Sequence, residues 1–519
     1  MQAFYFLKEL IMRNMFLSLM TIIFAVTLSS HAESGNKLSL LVKNGKTSFT
    51  IYHERTAAST AKDAAKELQT YIKKVTGANI QISTKVPREP YISLGENKLS
   101  AKAGLNLSKV KADGYIISIK NGNVYILGHD TKKGTRSTDA GFSKGTLFGT
   151  YTFLENVLGV RWYMPGDDGE YYTQKPTIEL KEKQMVENPS FRWRRIPYLT
   201  KSSKSIREMV DRWELRNKLN NEAYRISIQH YHIWHRIFTS EVYAKHPEYF
   251  AKVGGKRLKP IGDRYKICTS NPDVAKFFAK KVIDYFDNNP LVKCYSLSPT
   301  DSAGYCQCTK CRAQDESGTH EYGRYTRRIL LFYNAVAKIV NKRYPDRYVC
   351  GYIYANYLYP PKDRSIKVSP NLYLMLASSI TYGYTFYRPE VKKQWYHNLK
   401  YWSSITKNIA YYDLPMHCKK SFGAPLAPGV EILQEMMPAL KKYQIKGVYI
   451  YGKEEWGHAV LYNYLVAKMM WNADLNVKDL LNDFYAQCYG NGGSDMRKIH
   501  EIIDSSMKSY YLHNRASYT

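Results

Sequence analysis

CYSLSPTDSAGYCQCTKCRA, residues 294–313, begins as an apolar run, stops at an acidic residue, Asp301, turns at a glycine, and continues with Cys306, Cys308 and Cys311 in C-x-C-x-x-C spacing. A short apolar run closed by polar residues reads as a buried strand. Similar runs lie on both sides of it: RRIPY (194–198), YRISI (224–228), YKIC (265–268), CYSLS (294–298), YVCGYIY (348–354), NLYLML (371–376), NIAYYD (408–413) and GVYIY (447–451). Segments between them carry helical spacing, as at Val274, Phe277, Phe278, Val282 and Phe286. Strand alternating with helix predicts a parallel sheet. Eight runs, of which YKIC is the weakest, predict an α/β fold of the (β/α)8 TIM-type barrel over residues 190–475.

In such a barrel the chemistry gathers where strands end on their C-terminal side. QHYHIWH follows YRISI, PTD follows CYSLS, LPMH follows NIAYYD, and GKEEWGH follows GVYIY. Carboxyls at such ends can work as a pair, one protonated as acid and one ionised as base or nucleophile. Asp301 and Glu454 are the candidates, with Glu455 as the substitute and Asp413 a further option. Lys453 stands beside the glutamates, where a cation holds a carboxyl ionised or takes a substrate carboxylate. His230 and His232, two apart, share one face of a strand and suit sugar contact or proton transfer. With His235 they form H-x-H-x-x-H, but a zinc site would also want a third ligand and an open position. His417 and His458 fall in the same class. Trp234, Tyr352, Tyr354, Tyr412 and Trp456, all near strand ends, are expected to stack on sugar rings.

The residues ahead of these runs form a separate unit, expected at 37–180 as a small α+β domain. TAKDAAKELQTYIKKVTG puts Ala61, Ala64, Ala65, Leu68, Ile72 and Val75 on one helical face and stops at Gly77. GYIISIKNGNVYILG alternates and turns at Asn121-Gly122, a hairpin signal. A second helix runs through Leu147, Tyr151, Leu154 and Leu158 to Gly159. KEKQMVENPS (181–190) is polar and ends in Asn-Pro, as a linker would. Residues 476–519 read as a C-terminal helical segment whose polar end leaves open a further part of the chain.

Lys8 and Arg13 precede the apolar run Met15–Ser30, and SHA ends at Ala32 with small residues around the cut. That is the pattern of a signal peptide over residues 1–32, so a secreted or periplasmic protein is expected. No later stretch approaches the ~20 apolar residues of a spanning helix. With 76 Lys+Arg against 45 Asp+Glu the net charge is +31, which attracts polyanions. Export makes an acidic polysaccharide or oligosaccharide the expected partner in place of nucleic acid. Eight cysteines are too few for a disulfide-framework protein of 519 residues. Cys268, Cys306, Cys308 and Cys311 are expected to converge, as a structural zinc site or as a disulfide running from Cys268 to one of the others; either pins the loop behind Asp301. No phosphate-binding loop and no G-x-S-x-G elbow is present, and no cofactor is expected to be needed for catalysis.

GTLFGTYTFLENVLGVRWYMPGDDGE resembles the domain that precedes the barrel in family 67 alpha-glucuronidases and family 20 beta-hexosaminidases. HPEYFAKVGGKR, ICTSNP, SLSPTDSAGYCQCTKC and AKMMWNADLNVKDLLNDFYAQCYG are similar to the bacterial domain-of-unknown-function family 4838. The resemblance implies a carbohydrate-active barrel without supplying the substrate. Ser302 follows Asp301, where the hexosaminidases carry adjacent Asp-Glu, so their substrate-assisted mechanism is not implied. The function expected is a glycoside hydrolase acting on a uronic-acid-containing glycan. A polysaccharide lyase with a His or Tyr base, drawing on His230, His232 and Tyr412, is one alternative. A glycan-binding protein without turnover is the other.

Overall fold

The computed structural model describes residues 39–132, 143–199, 203–221, 228–318, 320–378, 383–413 and 428–513. The expected signal peptide, His417 and most of YRISI lie outside these residues.

The N-terminal unit is a six-stranded mixed sheet in the order Lys183–Glu187, Tyr115–Lys120, Asn123–Gly128, Tyr91–Leu94, Thr50–Tyr52, Gln81–Ser83. The hairpin turns at Asn121 and Gly122, both with positive φ (52° and 74°), the twist that two-residue hairpins require. The helix Ser59–Thr76 buries all six residues of its expected apolar face and ends at Gly77 in the left-handed conformation. The polar stretch expected as a linker is instead partly an edge strand. Lys183–Glu187 pairs antiparallel with Tyr115–Lys120, and its alternation of exposed and half-buried side chains suits an edge.

The second sheet is wholly parallel. Its order is Trp193–Arg195, Gly447–Ile450, Ile409–Asp413, Leu372–Ala377, Tyr348–Ile353, Cys294–Ser296, with the long helices Pro272–Asn288, Thr326–Arg343, Pro389–Ile405 and Val430–Lys442 between strands in the chain. Six of the eight runs are therefore strands of one parallel sheet among the described residues. YKIC is not one. Its backbone bonds to residues 249–251, Lys266 O accepting from Ala251 N at 3.1 Å and Cys268 N donating to Tyr249 O at 2.8 Å, which leaves only an isolated bridge between Phe250 and Ile267. Asn220 and Ile233 each bond at one end of this sheet. Asn220 N donates to Arg194 O (3.1 Å), and Ile233 N donates to Ser298 O (3.1 Å) beyond the opposite edge.

The two units share one continuous apolar core. Tyr115 stacks on Trp471 with ring centres 5.6 Å apart, and Tyr163 packs on Tyr464 and Phe484. Charges are buried in the same junction. Asp113, fully buried, accepts from Arg194 Nη2 (2.9 Å), Arg192 Nη1 (3.2 Å) and Asn220 Nδ2 (2.8 Å), and its other oxygen accepts from Lys144 N (3.0 Å). Burial by itself would raise this carboxyl, but Arg194, Arg192 and the hydrogen bonds outweigh it and hold the pKa below the usual carboxylate value. Glu155 is treated alike: against the effect of burial, Lys218 and Lys468 bring it down to about 2. The helices Val477–Tyr489 and Gly493–His513 close the C-terminal side, with Arg161 tied to Asp483 at 2.7 Å. Among the described residues no helix is long and apolar enough to cross a membrane.

Candidate functional site

Pairing register lines residues up across the C-terminal ends of the parallel strands. Arg195 pairs with Tyr449, Tyr449 with Tyr412, and Tyr412 with Ala377, so the four side chains stand in one row on one face. His230 lies against this row, its ring 4.6 Å from Tyr449, 5.7 Å from Tyr412 and 5.6 Å from Tyr352. Its Nδ1 is 3.0 Å from Tyr352 Oη. His232 neighbours Tyr352 and Tyr354, with ring centres 5.3 and 6.3 Å away, and its Nδ1 donates to Pro299 O, which fixes the ring's orientation. Tyr412 Oη donates to Tyr451 Oη (2.7 Å), and Tyr451 Oη donates to Tyr198 Oη (3.4 Å). Arg195 sits over the Tyr449 ring at 5.1 Å. The result is a floor of tyrosine and histidine rings with a guanidinium at one side. Loss of solvation among these rings, with Arg195 and His232 adding to it, lowers His230 to about 3, so it is neutral at ordinary pH.

Two loops rise from strand ends beside this floor. The first leaves Cys294–Ser296 and is fastened at nearly every residue. Leu297 N donates to Cys350 O (2.7 Å), Ser298 Oγ accepts from Tyr352 N (3.0 Å), Thr300 Oγ1 donates to Tyr265 O, and Lys266 Nζ donates to Thr300 O. Asp301, exposed, comes next. Lys266 is buried beneath it, over the Tyr305 ring at 4.9 Å; burial lowers its pKa to about 8 against the pull of Asp301. Tyr305 in turn stacks on Tyr325 with centres 3.9 Å apart.

The second loop leaves Gly447–Ile450 and carries Lys453, Glu454 and Glu455. A Cβ on Gly452, just past the strand, would lie 2.5 Å from Ile196 Cγ2 and from Leu199 Cδ2, so any larger residue there would have to displace those side chains. Asn463, fully buried on the helix Trp456–Trp471, clamps the loop: Lys453 N donates to its Oδ1 (3.1 Å) and its Nδ2 donates to Lys453 O (2.8 Å). Trp456 Nε1 donates to Leu199 O (3.2 Å), and its ring packs edge-on against Trp213 at 4.8 Å. Glu454 is half-buried and Glu455 exposed.

The structure thus brings His230, His232, Tyr352, Tyr354 and Tyr412 together and fastens the loops of Asp301 and Glu454. It places two other expected contacts elsewhere. Trp234 has no exposed surface; its Nε1 donates to Leu297 O (2.8 Å) and its ring packs on Phe332, so it belongs to the core. Asp413 is next to Tyr412 in the strand and so faces the opposite way. It is buried, accepting from Tyr411 Oη, which itself accepts from Trp395 Nε1 (2.9 Å) on the outer helix Pro389–Ile405. Arg195, Tyr198, Tyr449, Tyr451 and Lys266 escape a reading that looks only past each run. Alternation within RRIPY and GVYIY, counted back from the strand end, is the signal that finds Arg195, Tyr449 and Tyr451. Cys268, Cys306, Cys308 and Cys311 do converge, behind Tyr305.

Two families match the chain. The Glycosyl hydrolase family 67 N-terminus matches residues 40–135, and Domain of unknown function (DUF4838) matches residues 164–501. No curated protein matches. Among solved structures, a family GH115 4-O-methyl-alpha-glucuronidase with specificity for decorated arabinogalactans is similar at TM-score 0.50 and 15% identity, over 91% of this chain and 62% of that one. A GH138 enzyme targeting pectin rhamnogalacturonan II is similar at TM-score 0.50 and 13% identity, over 89% of this chain and 70% of that one. A beta-N-acetylhexosaminidase from Bacteroides fragilis gives TM-score 0.44 at 11% identity, over 89% and 94%. This chain spans 62% of the length of the first of these structures. At such identities the likeness is one of fold: a mixed α/β architecture with a parallel sheet. With residues 164–501 matched, the chain belongs to the family described as Domain of unknown function (DUF4838), behind an N-terminal unit that matches the Glycosyl hydrolase family 67 N-terminus.

Proposed function

We propose that the protein is a secreted glycoside hydrolase that cleaves an acidic glycan over the C-terminal ends of its parallel strands. The row of Arg195, Tyr449 and Tyr412, with His230 and Tyr352 against it, carries the reading. Aromatic faces take the C–H faces of sugar rings, phenol and imidazole groups take their hydroxyls, and a guanidinium takes a uronate carboxylate by charge-assisted hydrogen bonds. Asp301 and Glu454 supply the two carboxyls, one protonating the leaving oxygen and the other acting as base or nucleophile, with Glu455 as the substitute for Glu454. The bonds of Asn220 to Arg194 and of Ile233 to Ser298, at opposite ends of the sheet, support a barrel of the (β/α)8 type around this site. The named activities of the GH115 and GH138 structures, on decorated arabinogalactans and on pectin rhamnogalacturonan II, agree with a glycan substrate.

A lyase would need His230 or a neighbouring tyrosine to remove a proton alpha to a carboxylate. An imidazole held at about 3 is a weak base for that step, which argues against His230 in that role. The test is turnover on a panel of acidic polysaccharides, following reducing ends together with absorbance from new C=C bonds, beside Asp301→Asn and Glu454→Gln. Reducing ends without absorbance, falling at least ~100-fold in both variants, are the expected result. Absorbance that survives Glu454→Gln overturns it in favour of elimination. Affinity without turnover in any preparation would make this a binding protein.

A further inference from the structure

We infer that Cys268, Cys306, Cys308 and Cys311 bind one zinc ion as four thiolates. The four Sγ atoms all lie within 4.8 Å of one another, and three of the four residues are buried. Cys268 Sγ is 3.7 Å from Cys308 Sγ and 3.8 Å from Cys311 Sγ. A regular tetrahedron of sulfurs about 2.3 Å from a central zinc has edges of about 3.8 Å. A disulfide brings two sulfurs to about 2.05 Å and leaves the other two unpaired or paired to each other. The spacing therefore matches four ligands around one centre, and the cysteines all stand as free thiols.

The surroundings suit a site with negative charge. Four thiolates on a divalent ion leave two negative charges in a largely buried region. Lys252 N donates to Cys306 Sγ at 3.3 Å and Arg257 Nη1 at 3.8 Å, while Ser270 Oγ lies 3.0 Å from Cys311 Sγ and 3.7 Å from Cys308 Sγ. Arg328, buried, donates to Cys306 O at 2.9 Å. Donors aimed at ligand sulfurs are what a metal–thiolate site uses to spread its charge. Zinc is preferred because a closed tetrahedral set of four thiolates with no open position is the geometry of structural zinc, an ion with no redox chemistry of its own.

Such an ion would tie together two chain segments that are far apart in sequence. Cys268 ends the short segment before the helix Pro272–Asn288, and Cys306, Cys308 and Cys311 lie in the loop that follows Asp301. Tyr305 adjoins Cys306 and packs under Lys266, which holds Thr300 O. The metal is thus a fastening for the loop that carries Asp301. Its presence does not depend on Asp301 being catalytic.

The experiment is metal analysis of the full-length protein purified from zinc-supplemented culture without chelator or reductant, with thiol titration before and after chelation. Cobalt(II) exchange adds a thiolate-to-metal charge-transfer spectrum as a second readout. One zinc per chain is expected, with the four thiols titrating only after the metal is removed. Cys308→Ser, at the half-exposed position and so the least disruptive of packing, should lose the metal, whereas Cys488→Ser, outside the cluster, should keep it. Cys311→Ser is the second variant. A disulfide among the four in non-reduced peptides, iron in place of zinc, or wild-type zinc no higher than in Cys308→Ser would overturn the inference. None of these readouts needs a substrate, so failure here and failure of the hydrolase reading are separable.

Discussion

Replacing Asp113 by Asn tests whether buried charge fastens the two units together. Asp113 has φ +65°, a conformation Asn tolerates well, so the substitution changes charge and acceptor number with little backbone strain. Oδ1 can still accept from Lys144 N, but an amide NH2 would face Arg194, Arg192 and Asn220, three donors it cannot satisfy. Arg194 is fully buried and would keep its charge without the carboxylate. Removing one partner of a buried pair costs about 3–5 kcal/mol. At roughly 2 °C per kcal/mol for a large chain, the melting midpoint should fall by about 6–10 °C. The midpoint is the quantity to read, because a chain with two sheets need not unfold in one step. The pH dependence gives a second check. The folded pKa of Asp113 lies below its unfolded value, so its contribution is fully present above about pH 4 and is lost as pH falls through the folded value. The gap between wild type and Asp113→Asn should be constant from about pH 5 to 8 and narrow in stronger acid. A midpoint within about 2 °C of wild type at neutral pH, or a gap that persists in acid, would refute the reasoning.

Asn463→Ala removes both hydrogen bonds that clamp Lys453 and should lower kcat on the substrate found by the polysaccharide panel by ~10-fold or more, with KM little changed; an unaffected kcat would show that Asn463 does not position Glu454. Trp234→Ala should destabilise by about 3–5 kcal/mol in thermal or denaturant unfolding, because it empties a fully buried site; a selective loss of glycan affinity in the folded variant would return Trp234 to the cleft. Tyr412→Phe keeps the ring and removes the hydroxyl bonded to Tyr451, so binding should weaken by a few fold, on the order of 1 kcal/mol, in a titration with oligosaccharide; a loss as large as that of Tyr412→Ala would show that the hydroxyl and not the ring makes the contact.

Local pattern carried the parts of the fold that depend on neighbours in the chain. The helix Ser59–Thr76, the hairpin at Asn121-Gly122 and six parallel strands follow from side-chain period and turn chemistry. YKIC failed as a strand because a run of four residues does not say which backbone will take its hydrogen bonds, and residues 249–251 took them. Lys181–Ser190 looked like a linker because an edge strand needs few apolar residues; its partner, Tyr115–Lys120, is far away in sequence.

For the site, the sequence by itself determined which chemistry is available: carboxyls at Asp301, Glu454 and Glu455, imidazoles at His230 and His232, and four cysteines in two groups. Those follow from residue type and from the ends of apolar runs. The tertiary structure alone decided which of them share a space. Strand alternation set Tyr412 in the floor of rings and Asp413 behind the sheet, register put Arg195 beside Tyr449, and core packing took Trp234. It also brought Cys268 to the other three cysteines, 40 residues along the chain from Cys308 and 43 from Cys311. The reason is physical: composition and period constrain what a segment is, whereas facing and convergence depend on hydrogen bonds and buried contacts made with segments that no local pattern identifies.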